Sequence, residues 1–302
     1  MLLCKHDDLL SSPLYESGDL HVDQRLTLAR EIHSGDRRLT GRLLQCGLMH
    51  APLLVCIHGG GCNGRYFDLP GFSVATLALA KGHDVLLVDR PGHGSSAPNR
   101  TATPIVEAAD LLPNLLVPIL REHAPARLLV LGHSIGGAVA LTLAAGGRLP
   151  IDAIAVSGIG RTPSRSALSW FSRFRINGLP PPNNFFFGPK GSYDWRAPIA
   201  LRKVTEPWRL DEVRETLTEW PERFDAVAAA LSMPVSIYLA EHEQIWQHEE
   251  VATGSLALKF PNVPRMVSCI LPTGGHLNEI HMGGAEMVER QIAFLSAWSG
   301  RD

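Results

Sequence analysis

Apolar residues along this chain fall into short continuous runs, separated by polar, glycine-rich turns and alternating with segments of helical spacing. Leu53-Leu54-Val55-Cys56-Ile57, Asp84-Val85-Leu86-Leu87-Val88, Arg127-Leu128-Leu129-Val130-Leu131, Ile151 to Ser157, Val235 to Leu239 and Met266 to Leu271 each have the length of a strand. Runs that are apolar throughout, without alternation, suit strands buried on both faces. Between them, Val74 to Lys81 reads as a helix stopped by Gly82, and Gly137 to Ala145 as one stopped by Gly146-Gly147. Thr103 and Pro104 cap and start another helix, which Pro113 and Pro118 are expected to kink or split. Glu250 to Lys259 and Gly284 to Trp298 complete the helical segments. Leu26 to His33 and Arg38 to Gln45 flank the turn Ser34-Gly35-Asp36 and predict a hairpin. Residues 1 to about 24 are polar and weakly patterned, a loosely held lead-in. Strands alternating with helices imply right-handed crossovers and a mainly parallel sheet with helices on both faces, an α/β fold.

The alternation breaks between Gly158 and about Phe224. This stretch holds eleven of the twenty Phe, Trp and Tyr residues, together with Pro180-Pro181-Pro182 and several arginines. The division expected is a core of residues 1–157 and 226–302 with an insertion at 158–225. Its aromatics either pack inward as a peripheral subdomain or belong to a cap that lines an apolar pocket.

The candidate chemistry lies at Gly132-His133-Ser134-Ile135-Gly136, a G-x-S-x-G pattern between a strand and a helix. A tight turn there requires small residues at 132 and 136 and presents the Ser134 hydroxyl at the top of a sheet. The first N–H groups of the following helix favour negative charge at the same place. Three further stretches join it in order: His58-Gly59-Gly60-Gly61 after the Leu53 strand, Asp89-Arg90-Pro91-Gly92-His93-Gly94 after the next, and Gly274-Gly275-His276 after the last.

With these four motifs the chain resembles the α/β-hydrolase superfamily, over about residues 50–157 and 230–299. The resemblance implies a serine hydrolase with Ser134 as nucleophile and His276 as base, imidazole being able to take and return a proton near neutrality. The acid is expected after the strand ending at Leu239. The usual aspartate is missing from Ala240-Glu241-His242-Glu243-Gln244. Glu243 matches the position, with Glu241 and then Asp225 behind it. The oxyanion donors expected are the backbone N–H groups of Gly60 and Ile135. Asn63, Tyr66, His133, Trp170, Phe186 and Trp208 are the candidates for shaping the substrate pocket. The Asp89 turn is expected to bend the chain and carry no chemistry.

Composition narrows the partners. The chain has 302 residues, a net charge of −2 and 19% charged residues, which leaves no basic surface for nucleic acid. No run approaches a membrane span, and the first residues lack the apolar centre of a signal peptide. Five scattered cysteines suit no metal site or disulfide framework, so reduced thiols and a cytoplasmic setting are expected, with no cofactor. The substrate expected is a small-molecule or carrier-bound acyl compound with an apolar acyl group. Arg161, Arg165, Arg173 and Arg175 would suit an acidic acyl carrier protein and a thioesterase role. The same intermediate would also serve an acyltransferase or cyclase, and the scaffold alone would serve a ligand-binding protein.

Overall fold

A computed structural model describes residues 2–3, 28–36, 38–179, 181 and 184–297. Leu2–Leu3 is a short edge strand, β1. The expected hairpin is β2 (Leu28–His33) and β3 (Thr40–Gln45), paired antiparallel. β4 (Leu53–Ile57) leads through a small ribbon, β5 (Asp68–Leu69) and β6 (Phe72–Ser73), into α1 (Val74–Ala80) and β7 (Asp84–Asp89). α2 (Pro104–His123), β8 (Leu128–His133), α3 (Ile135–Ala145) and β9 (Ile151–Ser157) follow. The segment that breaks the alternation holds α4 (Arg165–Asn177), α5 (Asn184–Phe187), α6 (Arg196–Leu201) and α7 (Leu210–Arg214). A π-helical turn, Glu215–Glu219, joins α7 to α8 (Trp220–Ala230). β10 (Val235–Ala240), α9 (Glu249–Ala252), β11 (Met266–Leu271) and α10 (Gly284–Ser296) close the chain.

Among the described residues the large sheet runs β1-β11-β10-β9-β8-β4-β7-β3-β2. Every neighbouring pair from β1 to β7 is parallel, and β3 pairs antiparallel with both β7 and β2. β4 and β8 are adjacent at the middle, and every residue of both is buried, as their unbroken apolar runs require. One face of the sheet is covered by α2, α3 and α8, whose Leu112, Leu116, Val139 and Phe224 share a buried cluster with Val55 and Val130. The other face is covered by α1 and α10, with Ala75, Met287 and Val288 packed near Cys56 and Leu131. Parallel strands carry all their C-terminal ends to one edge, so the loops after β4, β8, β10 and β11 meet there.

Several expectations change. α2 is one helix through Pro113 and Pro118. Pro113 removes the N–H that would bond the Ala109 carbonyl, and Arg148 Nη2 bonds that carbonyl instead at 3.1 Å. The helix expected over Glu250 to Lys259 is two short turns, divided at Gly254, which adopts φ 73°. Cys46, Cys56 and Cys62 are free thiols as expected, but Cys269 is disulfide-bonded, against the expectation of reduced thiols throughout. The boundary expected between residues 225 and 226 falls inside α8. Trp220 and Phe224 of that helix belong to the core, with Phe224 edge-on to Phe260. Residues 4–27 and Trp298 lie outside the described residues.

Candidate active site

Ser134 stands between β8 and α3 with φ 53° and ψ −122°, a conformation costly for a residue with a side chain. The turn is held because the Ser134 N–H bonds the Ser157 carbonyl at 2.8 Å and the Gly137 N–H bonds the Ser134 carbonyl at 2.8 Å. Glycine is needed on either side. A Cβ at 132 would lie 2.5 Å from the Gly136 carbonyl oxygen, and one at 136 would lie 1.9 Å from the Ile57 carbonyl oxygen.

His276, in the loop after β11, reaches over this turn. Its Nε2 lies 2.9 Å from Ser134 Oγ, and its Nδ1 lies 3.0 Å from each carboxylate oxygen of Glu243. A carboxylate only accepts, so Nδ1 carries the proton and Nε2 presents its lone pair to the serine hydroxyl. Glu243, in the loop after β10, also accepts from the Ile245 N–H at 2.8 Å. Burial alone would push its carboxyl up, but the His276 imidazole and these hydrogen bonds hold it below the usual carboxylate range. The other two acid candidates are elsewhere. Glu241 caps the turn before His276 by accepting from the Thr273 N–H at 2.7 Å. Asp225 is paired with Arg161 and Lys259 on the surface. His281 braces the same loop: its Nε2 accepts from the Gly275 N–H at 2.7 Å and its Nδ1 donates to the Ser192 carbonyl at 2.6 Å.

The loop after β4 lies against the turn. A Cβ on Gly59 would stand 3.1 Å from Ser134 Cβ, and one on Gly60 would stand 2.9 Å from Ile135 Cδ1 and 3.0 Å from Trp208 Cζ3. Ile135 opens α3, where an N–H has no partner within the helix. Above Ser134 and His276 opens a cavity of about 680 Å³, walled by Gly60, Gly61, His133, Phe186, Leu201 and Trp208 among others. Phe186 and Trp208 stack with ring centroids 5.3 Å apart and planes 9° from parallel, and Phe186 stands 5.8 Å from the His276 ring.

Three of the six pocket candidates thus reach the cavity: His133, Phe186 and Trp208. The other three stand behind its wall, for identifiable reasons. Asn63 is occupied as a cap, its Oδ1 accepting from the Arg65 N–H at 3.1 Å and its Nδ2 donating to Glu206 at 2.9 Å. Trp170 backs the wall, edge-on to Trp208 and stacked on Phe174. Tyr66 turns its hydroxyl inward to Glu279 Oε2 at 2.7 Å.

Glu279 was not anticipated. It is fully enclosed, with His133 Nδ1 3.0 Å from Oε2 and the Ser157 hydroxyl bonded to Oε1. Burial opposes its charge, yet His133, Ser157 and Tyr66 hold its carboxyl at about 2. A single acid between the apolar Leu277 and Ile280 was the available signal. His133 stacks on Tyr66 at 5.0 Å and lies 5.2 Å from His276, so this network forms the floor under the candidate base. Among the described residues no group of three or more His, Cys, Asp or Glu side chains could hold a metal ion, and no helix is long and apolar enough to cross a membrane.

The sequence profile of the alpha/beta hydrolase family matches residues 54–289. The chain belongs to this family. An esterase of Mycobacterium tuberculosis, Rv0045c, is 38% identical to this chain over 95 residues, which is 32% of this chain and 28% of that protein. The dihydrolipoyllysine-residue acetyltransferase component of the acetoin cleaving system of Pseudomonas putida is 27% identical over 266 residues, covering 80% of this chain and 63% of that one. The chain therefore spans less than two thirds of the length of either relative. Among solved structures, E-2-(acetamidomethylene)succinate hydrolase superposes with a TM-score of 0.66 at 17% identity, over 90% of this chain and all of that one, which places both in the α/β-hydrolase fold.

Proposed function

We propose that the protein is a serine hydrolase that cleaves carboxylic esters or thioesters through an acyl-enzyme. The observation that carries this reading is the continuous line of hydrogen bonds from Glu243 through His276 to Ser134, at the base of a largely apolar cavity. In this reading Ser134 Oγ attacks the substrate carbonyl carbon while its proton passes to His276 Nε2. Glu243 holds the imidazole in one tautomer and stabilises its positive form. The carbonyl oxygen becomes an oxyanion received by the N–H groups of Ile135 and Gly60, each contributing about 3 kcal/mol in the transition state. His276 then gives its proton to the departing alcohol or thiol. Water, deprotonated by His276, attacks the acyl-serine, releases the acid and restores Ser134.

The segment between β9 and α8 acts as a cap, with Phe186 and Trp208 against an apolar acyl chain. The test is intact mass after exposure to a fluorophosphonate. One adduct on the parent and none on Ser134→Ala is expected; a folded parent without an adduct, or an equally labelled variant, would overturn the reading.

A second fate for the acyl-enzyme is transfer to an alcohol, amine or thiol, favoured by the likeness to an acetyltransferase component. Product analysis with competing acceptors separates transfer from hydrolysis. Support for a carrier-bound thioester is reduced to Arg165, Arg173 and Arg175 on α4, because Arg161 pairs with Asp225 and Glu250.

A further inference from the structure

The turn after β7 was expected to do no more than bend the chain, yet it delivers a buried cation to the back of the loop holding Gly60. Arg90 is 1% exposed. Its Nε donates to the His58 carbonyl at 3.0 Å, its Nη2 to the Gly59 carbonyl at 2.9 Å and its Nη1 to Glu212 Oε1 at 2.6 Å. The Gly59 carbonyl oxygen also receives His58 Nδ1 at 2.8 Å and the Cys62 thiol at 3.6 Å. His58 completes the arrangement: its Nε2 accepts the Arg90 N–H at 3.1 Å, so the ring is neutral. Burial, with Arg90 and His93 beside it, keeps that imidazole well below its usual pKa.

A trans peptide points its C=O and N–H in opposite directions. Among the described residues no peptide is cis. The N–H opposite the Gly59 carbonyl is that of Gly60. Three donors gripping the oxygen end therefore fix where the Gly60 N–H points. They also polarise the peptide and strengthen it as a donor.

The grip is anchored from the segment between β9 and β10. Glu212 on α7 bonds Arg90 and, at 2.9 Å, His93 Nε2. Burial opposes the Glu212 charge, but Arg90 and His93 hold the carboxyl at about 2. Glu206 bonds His93 Nδ1 at 3.0 Å, Asn63 Nδ2 at 2.9 Å and the Gly94 N–H at 3.0 Å, and its own N–H bonds the Gly61 carbonyl at 2.8 Å. Packing alone does not call for such a set, since an isolated buried charge is strongly disfavoured.

We propose that Arg90 is a positioning residue for the oxyanion site, and that with Glu212 and Glu206 it sets the Gly59–Gly60 peptide in the orientation the transition state needs. The inference rests on the hydrolase reading. Arg90→Lys keeps the charge and loses the fork; Arg90→Met combined with Glu212→Gln leaves no unpaired charge and guards against unfolding. In the cooperatively folded double variant, kcat on 4-nitrophenyl butyrate should fall about 10- to 100-fold with KM within about twofold, and Arg90→Lys should fall between it and the parent.

Affinity for a trifluoromethyl ketone, which forms an oxyanion on the enzyme, should drop by the same factor. Affinity for its secondary alcohol, which only fills the pocket, should be unchanged. Parent-like kcat in the folded double variant, or equal losses for ketone and alcohol, would overturn the role of Arg90 and leave the hydrolase reading standing. A parent that neither labels with a fluorophosphonate nor cleaves the ester would overturn both.

Discussion

Replacing Glu279 by glutamine removes one charge and almost no volume from beneath the site. The carboxylate is 3% exposed and takes hydrogen bonds from Tyr66, Ser157 and His133. Its pKa stands at about 2 where the usual value is 4.5, despite burial, because those partners favour the charged form. That difference corresponds to about 3 kcal/mol of folding free energy. The sign follows from the direction. A carboxyl whose pKa is depressed on folding contributes its full stabilisation above about pH 4.5 and loses it as pH falls toward about 2. Across that interval the parent should lose about 1.4 kcal/mol per pH unit through this group, and Glu279→Gln, with no proton to take up, should not. Urea unfolding of both proteins, followed by circular dichroism from neutrality down to about pH 3, measures the gap directly. The variant is expected to be about 3 kcal/mol less stable near neutrality, with the gap closing below about pH 4.5. Equal stability near neutrality, or a gap that stays constant into acid, would refute the argument that the partners of Glu279 hold its charge.

Glu243→Gln should lower kcat about 10³- to 10⁴-fold with little change in KM, since the amide no longer fixes the tautomer of His276; steady-state kinetics retaining half the parent kcat would sink that role. Glu243→Asp draws the carboxylate back by about 1.5 Å from contacts of 3.0 Å, so it too should lose at least about tenfold in kcat. Gly136→Ala places a Cβ 1.9 Å from the Ile57 carbonyl oxygen and should yield no cooperatively folded protein; a sharp thermal transition with parent activity would contradict this. Trp208→Ala removes one ring of the stacked pair and should cut kcat/KM about tenfold for hexanoyl esters and less for acetyl esters, as read from a 4-nitrophenyl ester series.

The strands were legible because burial on both faces leaves unbroken apolar runs, and the Ser134 turn because its crowding admits only glycine at 132 and 136. Glu243 was reached through its place after Leu239, although aspartate was the expected residue. The acids behind the turn after β7 were not legible: Glu212, which bonds Arg90, and Glu206, which bonds His93, lie more than a hundred residues away, and nothing local marks a carboxylate as buried. Glu279 is a milder case, since its apolar flanks hinted at enclosure without naming Tyr66, Ser157 and His133. That α2 is not split at Pro113 was not legible, because Arg148 reaches the freed Ala109 carbonyl from another element. The same limit divides the aromatics between β9 and β10, where Trp220 and Phe224 serve the core while Phe186 and Trp208 face the cavity.

The carboxylates of Glu206 and Glu212 give the segment between β9 and β10 a double allegiance. Its aromatics form a wall that could vary with the compound admitted, while its two acids reach back into the machinery beneath. Such a segment is not a freely exchangeable part. A graft that replaced it with another family member's equivalent would bring a new pocket and orphan Arg90 in the same stroke. Selectivity is therefore open to change by single substitutions in the wall, and wholesale exchange is restricted to segments that carry matching acids at the same two places.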